Sequence, residues 1–113
     1  SPLAFGILSG KYLSGENLPK ARINLFPQLA RYNSEQCAQA TRLYEKIAQK
    51  NNLTLTQMAL AFVTQQPFVT SNIIGATTME QLKENIGSIN VKLTEEMMEK
   101  INLIHNNNPN PSP

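Results

Sequence analysis

The sequence lacks tryptophan and contains one cysteine, Cys37, among its 113 residues. A single thiol cannot form an internal disulfide and has no second cysteine at metal-ligand spacing, so a disulfide scaffold is excluded and a reducing, cytoplasmic location is expected. No apolar run is long enough to span a bilayer, and the first residues do not have the pattern of a signal peptide, so no membrane partner is expected. The net charge of +2 comes without a basic stripe, so nucleic acid is not an expected partner either.

The remaining composition is that of a globular domain, with 41% hydrophobic and 16% charged residues. The chain begins directly on a motif and without methionine. We therefore expect it to be a piece of a longer protein.

Local capping signals and apolar spacing predict four helices. The first has Asn33 and Gln36 at the spacing of a capping box and ends near Asn51 or Asn52. Three threonines are predicted to cap the others: Thr54, Thr78 and Thr94. The residues predicted to face the core are Cys37, Ala40, Leu43, Tyr44, Ile47, Ala48, Leu55, Met58, Ala59, Phe62, Val63, Leu82, Ile86, Ile89, Met97, Met98, Ile101 and Ile104.

The other segments predict a loop, a strand and a tail. Residues 13–33 contain turn residues, among them Asn17, without periodicity, which indicates a long loop of the kind that closes over ligands. Residues 68–76, FVTSNIIGA, predict one buried strand, and residues 106–113 predict a disordered tail. The fold class is therefore α/β, in the order of the last unit of a repeating βα architecture, where ligands gather at the carboxyl ends of strands.

The opening segment, SPLAFGILSGKY, has residues that suit a diphosphate. Backbone amides near Gly6 and Gly10 can approach a ligand closely, Ser1 and Ser9 offer hydroxyls, and Lys11 offers a positive charge. Considered alone, the segment is better explained as a strand-to-loop connection.

A second segment, GATTMEQLKEN at residues 75–85, joins the predicted strand to a helix. The free amides at the positive end of that helix are expected to stabilise a phosphate, and Thr77 and Thr78 can each add a hydroxyl contact. Gln81, Glu84 and Asn85 are spaced to read the edge of an adenine. The alternative is a capped, exposed helix whose polar side chains face water.

Together the two segments resemble the aldo-keto reductase superfamily, in particular the bacterial branch related to the potassium-channel β subunits and the Tas-type reductases. Residues 1–12 match the family pattern S-P-L-x-x-G-x-[LIV]-[ST]-G-K-Y, and residues 73–85 match I-x-G-[AS]-[ST]-x-x-x-Q-L-x-E-N. Residues 55–63, LTQMALAFV, resemble the helix that precedes the eighth strand of the family. The resemblance extends to about residue 105.

The resemblance implies that residues 1–105 are the C-terminal third of a (β/α)8 TIM barrel that binds NADPH in an extended form, without a Rossmann fingerprint. It implies that Arg22 reaches the ribose 2′-phosphate. Many members have lysine at the position of Gly75 and arginine at that of Gln81; this chain has neither, so its preference for NADPH depends on Arg22, Thr77 and the helix end. The implied cofactor-binding residues are Ser1, Pro2, Leu3, Gly6, Ser9, Gly10, Lys11, Arg22, Gly75, Thr77, Gln81, Glu84 and Asn85.

By the same resemblance, the intact protein is expected to be an oxidoreductase that reduces small aldehydes or ketones. The catalytic aspartate, tyrosine, lysine and histidine of the family come from earlier strands, so this piece is expected to hold no catalytic residue or metal ligand and to be inactive alone. Two alternatives remain open: a cofactor-sensing regulatory protein of the channel β-subunit type, and a freestanding helical interaction module.

Overall fold

Helices make up most of the regular structure in residues 1–15, 18–19 and 21–112, which are the residues that the computed structural model describes. The α-helices are α1 (Arg22–Leu25), α2 (Glu35–Lys50), α3 (Leu55–Thr64), α4 (Met79–Gly87) and α5 (Glu95–Asn107). Short 3-10 helices occur at Ala4–Ser9, Pro27–Asn33 and Ser88–Asn90. None of the helices in the described part of the chain has the length and apolarity needed to cross a membrane.

Threonine caps fix the starts of α3, α4 and α5, as predicted. The hydroxyls of Thr54, Thr78 and Thr94 each accept a hydrogen bond from the backbone amide three residues later. At α3 the capping box is complete, because the side-chain oxygen of Gln57 accepts in turn from the Thr54 amide at 3.0 Å. These helix starts are encoded within a single turn of chain.

The first turn of α2 is capped by Ser34 rather than by Asn33. Ser34 Oγ accepts a hydrogen bond from the Cys37 amide at 3.0 Å, whereas Asn33 ends the preceding 3-10 helix. The predicted cap is therefore wrong by one residue. The predicted length of about four turns is confirmed, because α2 has 16 residues.

Replacing Ser34 with alanine is expected to lower the free energy of unfolding by about 1 kcal/mol, because the Cys37 amide loses its partner. Asn33→Ala is the matched control and is expected to change stability by less than about 0.5 kcal/mol. Equilibrium urea unfolding of the full-length protein compares the two. Equal losses would show that Ser34 is not the cap that matters.

Residues 68–76 do not form the predicted strand. No β-strand occurs among the residues that the structure describes, so this segment has no neighbour with which to pair its backbone amides and carbonyls. Ile73 is 85% exposed instead of buried. Asn72 fastens the segment to α3, because its Nδ2 donates to the Leu60 carbonyl at 3.3 Å. The prediction of one clear strand is wrong for this chain.

The predicted loop at residues 13–33 contains helical turns. Its second half is occupied by α1 and the Pro27–Asn33 helix, and Asn24 Nδ2 donates to the Leu18 carbonyl at 2.9 Å. Asn17, one of the turn residues on which that prediction rested, lies outside the described residues. The segment is thus more regular than its composition indicates.

The end of the chain returns to the start of α2. Ser34 Oγ donates to the Pro111 carbonyl at 2.9 Å, and Ser112 Oγ lies 3.2 Å from Cys37 Sγ. Disorder of residues 106–113 stays a prediction; α5 reaches Asn107, and Pro113 lies outside the described residues.

Two apolar clusters hold the helices together. The larger one joins α2, α3 and α5 and contains Ile47, Ala48, Leu55, Met58, Ala61, Leu93, Met97 and Ile101. The smaller one fastens the opening segment and α1 to α2 through Ile7, Ile23 and Cys37. Cys37 is therefore the small packing residue that its sequence context predicts.

Three residues predicted to face the core are exposed instead: Leu43, Ile86 and Ile89. Ile89 has the largest exposed fraction of the three, 72%. Helical spacing identifies an apolar face but does not supply the element that covers it, and no element in the described part of the chain packs over these side chains.

Candidate functional site

One cleft brings the opening segment and the segment after residue 72 together. Its volume is about 830 Å³, inside the range of about 300 to 1,000 Å³ that is usual for ligand pockets. Every residue predicted to bind the cofactor lines this cleft, except Gly10. The two segments, far apart in sequence, are therefore neighbours in space.

The opening segment is shaped by consecutive positive φ angles. Ala4, Phe5 and Gly6 have φ values of 47°, 58° and 98°, which interrupt the Ala4–Ser9 helix. The Gly6 amide donates to the Leu3 carbonyl at 2.8 Å, and Ser9 Oγ donates to the Gly6 carbonyl at 2.7 Å. The amide predicted to approach a ligand at Gly6 thus closes a turn in this structure.

Gly6 makes room for the side chain of Lys11. A Cβ added to Gly6 would lie 3.0 Å from Lys11 Nζ and 3.1 Å from Lys11 Cε. The ammonium also lies 5.1 Å from the centre of the Tyr12 ring, whose buried hydroxyl has no hydrogen-bond partner among the residues that the structure describes. The position of this charge in the cleft therefore depends on the absence of a side chain at residue 6.

Gly10 lies outside the cleft. Its φ of 77° ends the Ala4–Ser9 helix, and its amide donates to the Ile7 carbonyl at 3.1 Å. A Cβ added here would lie 3.3 Å from Glu45 Oε1, on α2. The structure therefore does not bring Gly10 together with the other predicted residues; its conformation serves the turn.

Among the described residues that line the cleft, two side chains are cationic and one is a carboxylate. Lys11 belongs to the opening segment, and Arg22 is the first residue of α1. Glu84 lies on α4, far from Lys11 and Arg22 in the sequence, and lines the same cleft. An anionic ligand with a polar base at one end matches this distribution.

The loop before α4 is held in shape by two of the predicted residues. The amide and the hydroxyl of Thr77 both donate to Gln81 Oε1, at 2.9 Å and 3.1 Å. Asn85, which is 5% exposed, donates from Nδ2 to the Gly75 carbonyl at 3.0 Å. Gln81 and Asn85 thus fix the turn between residue 75 and the positive end of α4.

Glu84 is held by a residue that sequence reasoning treated only as a helix cap. Thr54 Oγ1 donates to Glu84 Oε1 at 2.6 Å while it accepts from the Gln57 amide at 3.1 Å. The cap of α3 therefore orients the one carboxylate that the described part of the chain contributes to the lining of the cleft. The capping signal at Thr54 was visible in the sequence, but its contact with α4 was not.

Other lining residues also escaped sequence reasoning. They are Phe5, Ala21, Leu25, Phe26, Thr54, Thr56, Leu60, Ile73, Ile74 and Ala76. Most are apolar or small and lie between the predicted polar groups. Phe5 occupies an unspecified position of the family pattern, so no motif marked it.

A second cavity, of about 460 Å³, lies between the opening segment, α3 and α5. Its lining is mainly apolar, and burial raises the pKa of its Tyr44 hydroxyl. Its lining, as far as the structure describes the chain, includes neither lysine nor arginine. The first cleft is therefore the better candidate for a phosphorylated ligand.

Comparisons with known proteins place the chain among the aldo/keto reductases. The model of the Aldo/keto reductase family matches residues 1–106. The chain is 46% identical over 113 residues to "Protein tas" of Escherichia coli, covering 100% of this chain and 33% of that protein. It is 36% identical over 115 residues to the "Putative voltage-gated potassium channel subunit beta" of Schizosaccharomyces pombe, covering 96% of this chain and 33% of that protein. It is also 36% identical over 110 residues to an "Aldo-keto reductase" of Babesia bovis, covering 93% and 39%. The chain thus spans well under half the length of these relatives.

Proposed function

The chain belongs to the aldo/keto reductase family, and on that premise we propose that it is the cofactor-binding C-terminal part of an NADPH-dependent reductase of aldehydes or ketones. The family implies a TIM barrel. In that barrel, residues 1–105 would extend from the loop after the seventh strand to the C-terminal helix. The observation that supports this most is the shared cleft, where Lys11 and Arg22 face the same space as Glu84.

The residues of the cleft fit a phosphorylated nicotinamide dinucleotide. Lys11, placed over Gly6, would neutralise the diphosphate, and the free amides of α4 would add partial positive charge. Glu84 would accept a hydrogen bond from the adenine amino group, and Arg22 would bind the ribose 2′-phosphate. When bound, the nicotinamide supplies the hydride for carbonyl reduction.

The groups that transfer the proton would come from the part of the protein that precedes these residues. This chain alone would accordingly bind cofactor without reducing a carbonyl. The single, buried Cys37 supports a cytoplasmic location.

Binding of NADPH and NADH to the full-length protein tests the proposal. Titration followed by nicotinamide fluorescence is expected to give a saturable signal with both, and a lower Kd for NADPH. Absence of saturable binding with either dinucleotide would overturn it.

The 36% sequence identity to the putative channel β subunit supports one alternative, a regulatory protein that senses bound cofactor. Both functions would use the same cleft, so binding does not separate them. Steady-state oxidation of NADPH in the presence of excess aldehyde does: repeated turnover supports the reductase, and binding without repeated turnover supports the sensor.

Gly6→Ala is expected to weaken NADPH binding by about 3- to 10-fold, because the new methyl group displaces the ammonium of Lys11. Gly15→Ala is the matched control: its φ is also positive, 72°, but a Cβ there meets no atom of the described residues within 4 Å. Both variants are expected to lose about 1 kcal/mol of stability from backbone strain. If the two variants bind NADPH equally well, Lys11 is not placed by Gly6.

A further inference from the structure

Four side chains form a row at the rim of the cleft, with two aromatic rings between two guanidinium groups, and Arg22 and Phe5 at one end of the row line the cleft itself. The Arg22 guanidinium lies 6.0 Å from the centre of the Phe5 ring, and the Phe5 and Tyr32 ring centres are 5.2 Å apart at an angle of 55°. Beyond them, the Arg31 guanidinium lies 4.9 Å from the Tyr32 ring and donates to the Tyr32 hydroxyl at 3.1 Å. We call Arg22, Phe5, Tyr32 and Arg31 the rim row.

The backbone at Phe5 is unusual for a residue with a side chain. Its φ of 58° and ψ of 26° lie in the left-handed region, directly after Ala4 at φ 47°. Glycine adopts this conformation without strain, and the next residue is a glycine. A phenylalanine in this conformation is strained. In this conformation its ring lines the cleft and lies between Arg22 and Tyr32.

Arg22 has few other restraints. It is exposed and begins a four-residue helix that has no side-chain cap. Among the described residues no carboxylate forms an ion pair with it. A long, exposed side chain loses rotamer freedom on binding a ligand, and a ring that already holds the guanidinium reduces that loss.

We propose that Phe5, backed by Tyr32, is a positioning residue that holds Arg22 for the 2′-phosphate and thereby sets the preference for the phosphorylated dinucleotide. This inference rests on the proposed function, because it assigns the 2′-phosphate to Arg22. It explains how a chain without the lysine and arginine of many relatives selects NADPH: one arginine is preorganised by a ring. Since NADH has no 2′-phosphate, the effect of the ring through Arg22 concerns NADPH alone.

The test is the ratio of the Kd values for NADH and NADPH in the full-length protein. Phe5→Leu keeps apolar volume and removes the ring, and it is expected to raise the Kd for NADPH by about 2- to 5-fold more than the Kd for NADH. Phe5→Gly removes the strain and the ring together and should give the same change in ratio. Phe5→Tyr keeps a ring and should keep the wild-type ratio.

A double-mutant cycle separates positioning from general damage. In an Arg22→Ala background, Phe5→Leu is expected to leave the ratio unchanged, because no guanidinium remains to be held. If Phe5 variants fail to fold, Tyr32→Leu with Tyr32→Phe as its control carries the same test from outside the strained turn. The expected pattern is then a lower ratio for Tyr32→Leu alone.

The outcomes distinguish the inference from its premise. Wild-type protein that binds neither dinucleotide overturns the proposed function and the inference with it. The inference alone is overturned if the wild-type protein prefers NADPH but loss of the ring leaves the ratio of the Kd values for NADH and NADPH unchanged. It is also overturned if loss of the ring lowers this ratio equally in the wild-type and Arg22→Ala backgrounds.

Discussion

Replacing Lys11 with alanine is expected to weaken NADPH and NADH binding equally, each by about 10- to 150-fold, or about 1.5 to 3 kcal/mol. The diphosphate is common to both dinucleotides, and the Lys11 ammonium lies over Gly6, at the point where the opening segment lines the cleft. Arg22→Ala is expected to cause a loss of similar size for NADPH alone, since only NADPH carries the 2′-phosphate. Isothermal titration calorimetry of the full-length protein measures all four constants.

Arg42→Ala is the matched control for these variants. Arg42 lies on the exposed face of α2, where its guanidinium is 3.5 Å from Glu35, and it does not line the cleft. Loss of this cation should leave both Kd values unchanged. Equal losses for NADPH and NADH in Arg22→Ala would contradict the assignment of Arg22 to the 2′-phosphate.

The second large effect is on stability. Leu60→Ala is expected to lower the free energy of unfolding by about 2 to 5 kcal/mol, because Leu60 is 0% exposed and its removal leaves a cavity beneath the cleft. Equilibrium urea unfolding of the full-length protein gives the difference. The Leu60 carbonyl, which accepts from Asn72, is backbone and survives the substitution.

Leu103→Ala is the control for Leu60→Ala. Leu103 lies on α5 and is 61% exposed, so its truncation is expected to cost no more than about 0.5 kcal/mol. A loss below about 1 kcal/mol for Leu60→Ala would show that the packing between α3 and the cleft is looser than the structure has it.

The helix starts were predictable because a cap is a local event. Thr54, Thr78 and Thr94 each bond an amide three residues away, and nothing distant is needed to choose the conformation. Ser34 shows the limit of that reasoning: Asn33 and Ser34 are adjacent capping residues, and the preceding 3-10 helix decides between them. Sequence pattern alone does not reveal that neighbour.

The absence of a strand at residues 68–76 was not predictable from those residues, because a strand forms only where it has a partner. Their β-branched, apolar composition fits a buried strand, yet the described residues contain no strand, either here or beside this segment. The same reasoning explains Ile86 and Ile89, whose spacing fits a buried face but which remain exposed in the part of the protein that the structure describes.

The charged residues of the cleft were predictable from the sequence, whereas the contacts that position them were not. The family motifs identified Lys11 and Glu84, and the structure places both in one cleft. No motif indicated that Thr54 donates to Glu84, because that contact joins residues 30 positions apart. Phe5 was hidden for a different reason: its place at the rim follows from a left-handed backbone that the pattern does not encode.

A crystal structure of the full-length protein with NADP+ tests the convergence of the two segments most directly. The predicted result is one extended dinucleotide with its diphosphate within about 3.2 Å of Lys11 Nζ and its adenine beside Glu84, in a continuous groove. A dinucleotide that contacts one of the two segments and leaves the other facing solvent would contradict it.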